Sequence, residues 1–99
     1  MTNKVIIRAD RAGVFFGEIK NRENTPTGVC VTMTNCRRLW YWDGAASLSE
    51  IAVSGVKHET SKITVTVESI VILGVIEIIT CTEEAIKNIE SAPVWKIHE

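Results

Sequence analysis

Ser69 to Thr80 (SIVILGVIEIIT) is the segment that most limits what this chain can become. Aliphatic residues occupy both alternating positions, and Glu77 is the single charge among them. A strand with one wet face alternates apolar and polar side chains, so a run that is apolar on both faces reads as a central strand. Both of its faces then need cover. Gly74 and Glu77 interrupt it, and it falls well short of the roughly 20 apolar residues that span a bilayer. No membrane association is expected. Helix on one side and a second subunit on the other is one way to supply that cover, and since about two short helices in a chain of 99 residues cover little sheet, a homo-oligomer is expected.

The remaining segments supply the neighbours of that strand. Lys4 to Ala9 and Gly13 to Lys20 are rich in β-branched and aromatic residues and flank the polar Asp10-Arg11, the pattern of a hairpin. Gly17, inside the second of them, points to a bulge or a close backbone approach. Asn21 to Thr27 is a cluster of turn formers and reads as a surface connection. A third strand follows from Gly28 to Thr34, with Val29, Val31 and Met33 on its buried face. Asn35-Cys36 then offers a turn, and Arg37 to Trp42 resumes an extended pattern that sets Arg38, Trp40 and Trp42 on one side and Arg37, Leu39 and Tyr41 on the other.

Ser47 to Glu50 (SLSE) has the form of a capping box, so a short helix is expected from there to Gly55. Lys62 to Val67 reads as a strand with Ile63, Val65 and Val67 inward. Thr80 or Thr82 is placed to cap a second helix, Glu83 to Glu90, stopped by Pro93. Val94, Trp95 and Ile97 form an apolar tail that is expected to pack back on the core. The reading is one α+β domain over residues 1–99, a small, mostly antiparallel β-sheet or open barrel with two short helices.

Composition narrows the function classes. Apolar residues at 45% and charged residues at 23% are the balance of a folded globular domain. A formal charge of −1 argues against a general nucleic-acid binder, which needs an excess of Lys and Arg. Polar Thr2, Asn3 and Lys4 after Met1 give no signal-peptide core. Cys30, Cys36 and Cys81 lack the spacing of a zinc site and are expected as reduced, buried or half-buried thiols, and no metal site or cofactor is expected. His58 lies in a polar loop and reads as exposed. There is no G-x-S-x-G elbow, phosphate loop or H-E-x-x-H, so no enzymatic activity is expected.

Two segments concentrate groups suited to binding. Arg37 to Ser49 (RRLWYWDGAASLS) holds two arginines, Trp40, Tyr41 and Trp42, the carboxylate of Asp43 and the helix cap Ser47. Aromatic faces stack on planar ligands, arginine forks hold phosphate or carboxylate, and the first helical turn attracts anions. A small anionic, nucleotide-like ligand would suit them. The alternative is that Trp40 and Trp42 anchor the core, Tyr41 faces solvent or a subunit and Asp43 makes a turn. Arg8 and Arg11 lie in the second segment, at the hairpin tip, and join Arg37 and Arg38 if the hairpin neighbours the aromatic strand. The alternative there is a solvated turn with Asp10 paired to an arginine.

Arg8 to Glu23 (RADRAGVFFGEIKNRE), Arg37 to Glu50 (RRLWYWDGAASLSE) and Val75 to Ala85 (VIEIITCTEEA) together resemble a family of small proteins of tailed bacteriophages and prophages, classed as a domain of unknown function. The resemblance covers nearly the whole chain and implies a phage origin and the host bacterial cytoplasm as the setting. By analogy with other short phage proteins, an anti-defence role is expected, in which the protein sequesters a nucleotide-derived signal or blocks a host defence protein. A small structural or assembly protein of the virion is the competing class, and the two-sided apolar strand suits it equally well.

Overall fold

The computed structural model describes residues 4–10, 12–26, 28–42, 44 and 47–95. Along the chain it places β1 (Lys4–Ala9), β2 (Gly13–Thr25), β3 (Gly28–Tyr41), α1 (Leu48–Ser54), β4 (Lys62–Ile63), β5 (Val67–Thr80) and α2 (Glu83–Glu90). A 3₁₀ turn, His58–Thr60, lies between α1 and β4. All strand pairings are antiparallel, in the order β2-β1-β5-β3-β4, and β2 pairs with β3 as well. The pairings β2–β1, β1–β5, β5–β3 and β3–β2 therefore run round a circuit, and the sheet folds back on itself. The expected α+β class with a mostly antiparallel sheet and two short helices is what forms.

Period-two alternation divides the core into two clusters. Val5, Ile7 and Ala9 of β1, Phe15 of β2, Val31 and Met33 of β3 and Ile72 and Val75 of β5 fill the space inside the fold-back. Ile6, Val14, Phe16 and Leu39, one residue out of phase with these, face outward beneath α1 and α2, which cover them with Ile51, Ala52, Ala85, Ile86 and Ile89. One layer of strands thus has apolar side chains on both faces, as the composition of β1 and β2 requires.

The fold-back needs strands that bend. At Gly17 the β2–β3 register slips between Phe16 and Glu18, and Asn35 of β3 takes φ 50. A Cβ on Gly17 would stand 3.0 Å from the Cys36 Cα, so glycine is required for the two backbones to cross this closely. The close approach expected at Gly17 is present. Asn35-Cys36, read as a turn, instead bends one continuous 14-residue strand, because a single left-handed residue changes direction without ending the ladder.

Three boundaries differ from the sequence reading. β2 runs on to Thr25, and the polar residues after Lys20 are not a loop but a solvent-facing extension laid against β3, since Arg22 and Asn24 face Val31 and Val29 across the ladder. The expected Lys62–Val67 strand is broken: Lys62–Ile63 pairs with β3 as β4, Val67 already belongs to β5, and Val65 and Val67 are exposed instead of inward because no layer lies over them. β5 has neighbours on both edges yet not along its whole length: β1 pairs with residues 75–80 and β3 with residues 67–75. Val71, Leu73 and Ile76 remain exposed on its outer side.

The helices begin and end where capping chemistry places them. The Ser47 hydroxyl accepts from Glu50 N at 3.3 Å, and the Thr82 hydroxyl from Ala85 N at 3.2 Å. Gly55, with φ 84, ends α1. Among the described residues, no helix is long and apolar enough to cross a membrane.

Candidate functional site

Arg37 and Arg38 sit side by side on β3 and, as alternation requires, project to opposite faces. Arg37 points under the helices and is 4% exposed. Its Nε donates to Thr64 O at 2.8 Å, and Nη1 donates to Ile89 O and Ala92 O, both at 2.8 Å. Longer contacts run from Nη2 to Ile63 O at 3.4 Å and to Pro93 O at 3.5 Å. Five carbonyls, from β4 and the residue after it and from the C-terminal end of α2 and the segment after that, are gathered on one guanidinium. The last carbonyls of a helix carry partial negative charge and lack intrahelical partners, which suits them to a cation. Burial pulls the Arg37 pKa down from its ordinary value, the cost of holding a charge away from water. Arg37, expected to contact a ligand, is therefore a clasp of the fold and is withdrawn from the binding set.

Arg38 projects to the other face. Its guanidinium carbon lies 4.8 Å from the centroid of the Phe15 ring. The two residues are direct cross-strand partners on β2 and β3, so the stacking follows from register. Together they floor a cleft of about 750 Å³ whose other wall is Ile70 to Gly74 of β5, with Asp10 and Ala12 at its end. A smaller hollow bounded by Cys36, Thr64, Val65 and Val67 shares Phe15, Arg38 and Ile70 with it. The cleft exists because β5 continues past the end of β1 and leaves the fold-back open on that side.

The aromatic segment does not keep the alternation expected of it. Leu39 pairs with Ile63 and Tyr41 with Lys62, so Trp40 is the extra residue of a bulge. Past the bulge the faces exchange. Trp40 and Tyr41 both come within reach of the Lys62 ammonium, at 4.8 and 6.0 Å, while Trp42 turns under the helices and packs against the core there. Trp40 is 60% exposed and stacks on Trp95, with centroids 5.3 Å apart and planes 19° from parallel. Lys62 Nζ is also 5.1 Å from the Trp95 ring. Sequence reasoning missed Lys62 and Trp95 as partners of Trp40; the only signal for Trp95 was the apolar tail in which it lies, which is anchored by the bond from Trp95 N to Ile63 O at 2.9 Å.

Arg8 does not join this face. β1 borders β2 and β5, not β3, and the Arg8 Nε lies 3.2 Å from the carboxylate of Glu77, its cross-strand neighbour. The Ser47 hydroxyl is occupied in capping α1. Arg11 and Asp43 lie outside the described residues. His58, read as exposed, is half-buried, and its Nε2 lies 2.7 Å from Asn88 O, a contact in which that nitrogen donates. Cys36 and Cys81 are buried and Cys30 half-buried, all as free thiols, and burial pushes the thiols of Cys36 and Cys81 up to about 11. Among the described residues, no three His, Cys, Asp or Glu side chains converge as a metal site would need.

What the sequence offered as one Arg and aromatic cluster is thus three separate structures: a buried clasp at Arg37, an apolar cleft with Arg38 at its floor, and, further along β3, an exposed Trp40 packed against half-buried Trp95 and Lys62. No curated protein and no solved structure matches the chain. Residues 2–89 match the domain of unknown function DUF6948, and the chain belongs to that family.

Proposed function

We propose that the domain is a ligand-binding module, that its site is the cleft between β5 and the Phe15–Arg38 pair, and that its ligand is a small planar anion. The observation that carries this reading is the state of Arg38. Among the described residues no carboxylate and no hydrogen-bond acceptor engages its guanidinium, which lies over an aromatic ring at the floor of an apolar cleft. A guanidinium stacked in this way has lost much of its side-chain freedom before a ligand arrives and keeps its N–H edge for a phosphate or carboxylate. About 750 Å³ lies within the range of small-molecule sites.

In the phage setting that the resemblance implies, a nucleotide-derived signal of the host fits this chemistry, and its capture would be an anti-defence function. Binding without catalysis is supported by two further features. The Cys36 thiol beside the cleft is held protonated well above neutral pH, and the His58 ring is engaged with Asn88. The exposed outer side of β5 favours a second reading, a small structural or assembly protein of the virion.

Isothermal titration of the protein with a panel of mononucleotides and cyclic nucleotides tests the first reading. At least one member is expected to bind, and Arg38→Ala is expected to weaken it by roughly 10- to 100-fold through loss of a charged hydrogen bond, with the free protein still folded and its thermal midpoint lowered by a few degrees at most. A panel with no binder, or equal affinity in the Arg38→Ala variant, overturns it.

A further inference from the structure

The stretch of β5 from Val67 to Leu73 has β3 on one edge and no strand on the other, since β1 reaches only as far as Val75. Asp10 N donates to Gly74 O at 2.9 Å and closes the ladder at that point. Beyond it, toward Val67, a row of main-chain groups faces the cleft mouth. Native sheets guard such edges with lysine, proline or a covering element. This one carries neither lysine nor proline, and Glu68 is its one charge. Its outward side chains are Val71, 60% exposed, and Leu73, 68% exposed.

We infer that a second copy of this chain docks here, antiparallel, joining the two β5 strands into one sheet across a two-fold axis. The open stretch is self-complementary about Ile70. An axis there sets Val67 of each copy beside Leu73 of the other, Glu68 beside Ile72 and Ser69 beside Val71, all within the edge that β1 leaves free. No charge meets its like, and the outward Val67 and Leu73 gain each other as apolar cross-strand neighbours. A net charge of −1 per chain opposes association little. The second strand lies over the mouth of the cleft, because Ile70 to Gly74 is one wall of it. Each ligand site is then closed by the partner copy. The dimer stands on the edge geometry alone, whereas its role as a roof rests on the ligand reading given above.

Light scattering on the protein without any nucleotide, across micromolar to submillimolar concentrations, measures the dimer separately from the ligand. The expected mass is twice 11.0 kDa. Leu73→Arg and Val71→Lys, both at exposed positions, are each expected to give a monomer with an unchanged circular dichroism spectrum. A monomer mass for the natural sequence throughout that range would leave the edge to an extended segment of some other protein and overturn the inference. A dimer that persists in both variants would place the contact on another surface and overturn it equally. If the dimer forms and no nucleotide binds, the interface stands and only the ligand reading fails.

Discussion

Two adjacent arginines on β3 have opposite surroundings, and their substitutions should separate cleanly. Removing the Arg37 side chain takes their guanidinium donor from the carbonyls of Thr64, Ile89 and Ala92, of which Ile89 O keeps the bond from Ala92 N at 3.2 Å. Arg37→Ala is expected to cost roughly 3 kcal/mol or more in urea unfolding, since each buried unpaired group costs about 1–3 kcal/mol. Arg37→Lys should recover only part of that, because an ammonium cannot reach three directions in one plane. Arg38→Ala removes an exposed stacking contact and is expected to change stability by about 0.5–1 kcal/mol at most. Equal losses in the two variants would show that Arg37 is not the clasp described.

At the level of elements, α1 and α2 are tied together by side chain to backbone bonds as well as by apolar packing. Thr82 both caps α2 and serves the end of α1: its hydroxyl accepts from Ala85 N and donates to Val53 O at 2.6 Å, and its own N–H donates to Ala52 O at 2.9 Å. Asn88 holds the chain leaving α1, accepting from Val56 N at 2.8 Å and donating to Val56 O at 3.0 Å. Thr82→Ala is expected to cost about 1–2 kcal/mol, the upper part of the range for a lost cap, and Thr82→Ser well under half of that. Gly55→Ala should be worse, since Gly55 has φ 84 and a Cβ there would stand 2.2 Å from the Asn88 side-chain oxygen. Chemical denaturation of the three variants checks the ranking. A Gly55→Ala protein as stable as the parent would contradict the geometry at that turn.

For the whole molecule, the buried thiols set a limit on the alkaline side. Cys36 and Cys81 are raised from 9.0 to about 11, in both cases chiefly by burial, with the nearby Arg38 charge opposing the shift at Cys36. Below about pH 9 the thiols are neutral in folded and unfolded chains alike, and their contribution is fully present. Between pH 9 and 11 the unfolded chain releases its protons first, so stability falls as pH rises. Each thiol accounts for up to about 2–3 kcal/mol of that loss. Urea midpoints followed across this range should drop, and the drop should shrink in a Cys36→Ala, Cys81→Ala variant. The topology also sets the folding rate. β1 pairs with the far end of the chain, Val5 with Thr80, so closing the sheet joins distant residues and refolding is expected in milliseconds to seconds. Stopped-flow fluorescence of the tryptophans measures it.

Local chemistry was enough for the parts that local chemistry controls. The hairpin of β1 and β2, the buried face of Val31 and Met33, the caps at Ser47 and Thr82, the stop at Gly55 and the close approach at Gly17 all follow from residue type and spacing within a few positions. The opposite orientation of Arg37 and Arg38 did too, because side chains alternate on a strand. What Arg37 meets on its side was not legible, since its acceptors stand 26 to 56 residues further along the chain. The same holds for Trp40, whose partner Trp95 comes from beyond α2 and whose direction depends on a bulge that only the pairing with β4 creates. The apolar run of β5 announced a strand needing cover on both faces. Its hydrophobicity is a property of the sequence, but which part lies between β1 and β3 and which part stands open depends on where β1 ends, and tertiary pairing alone decides that.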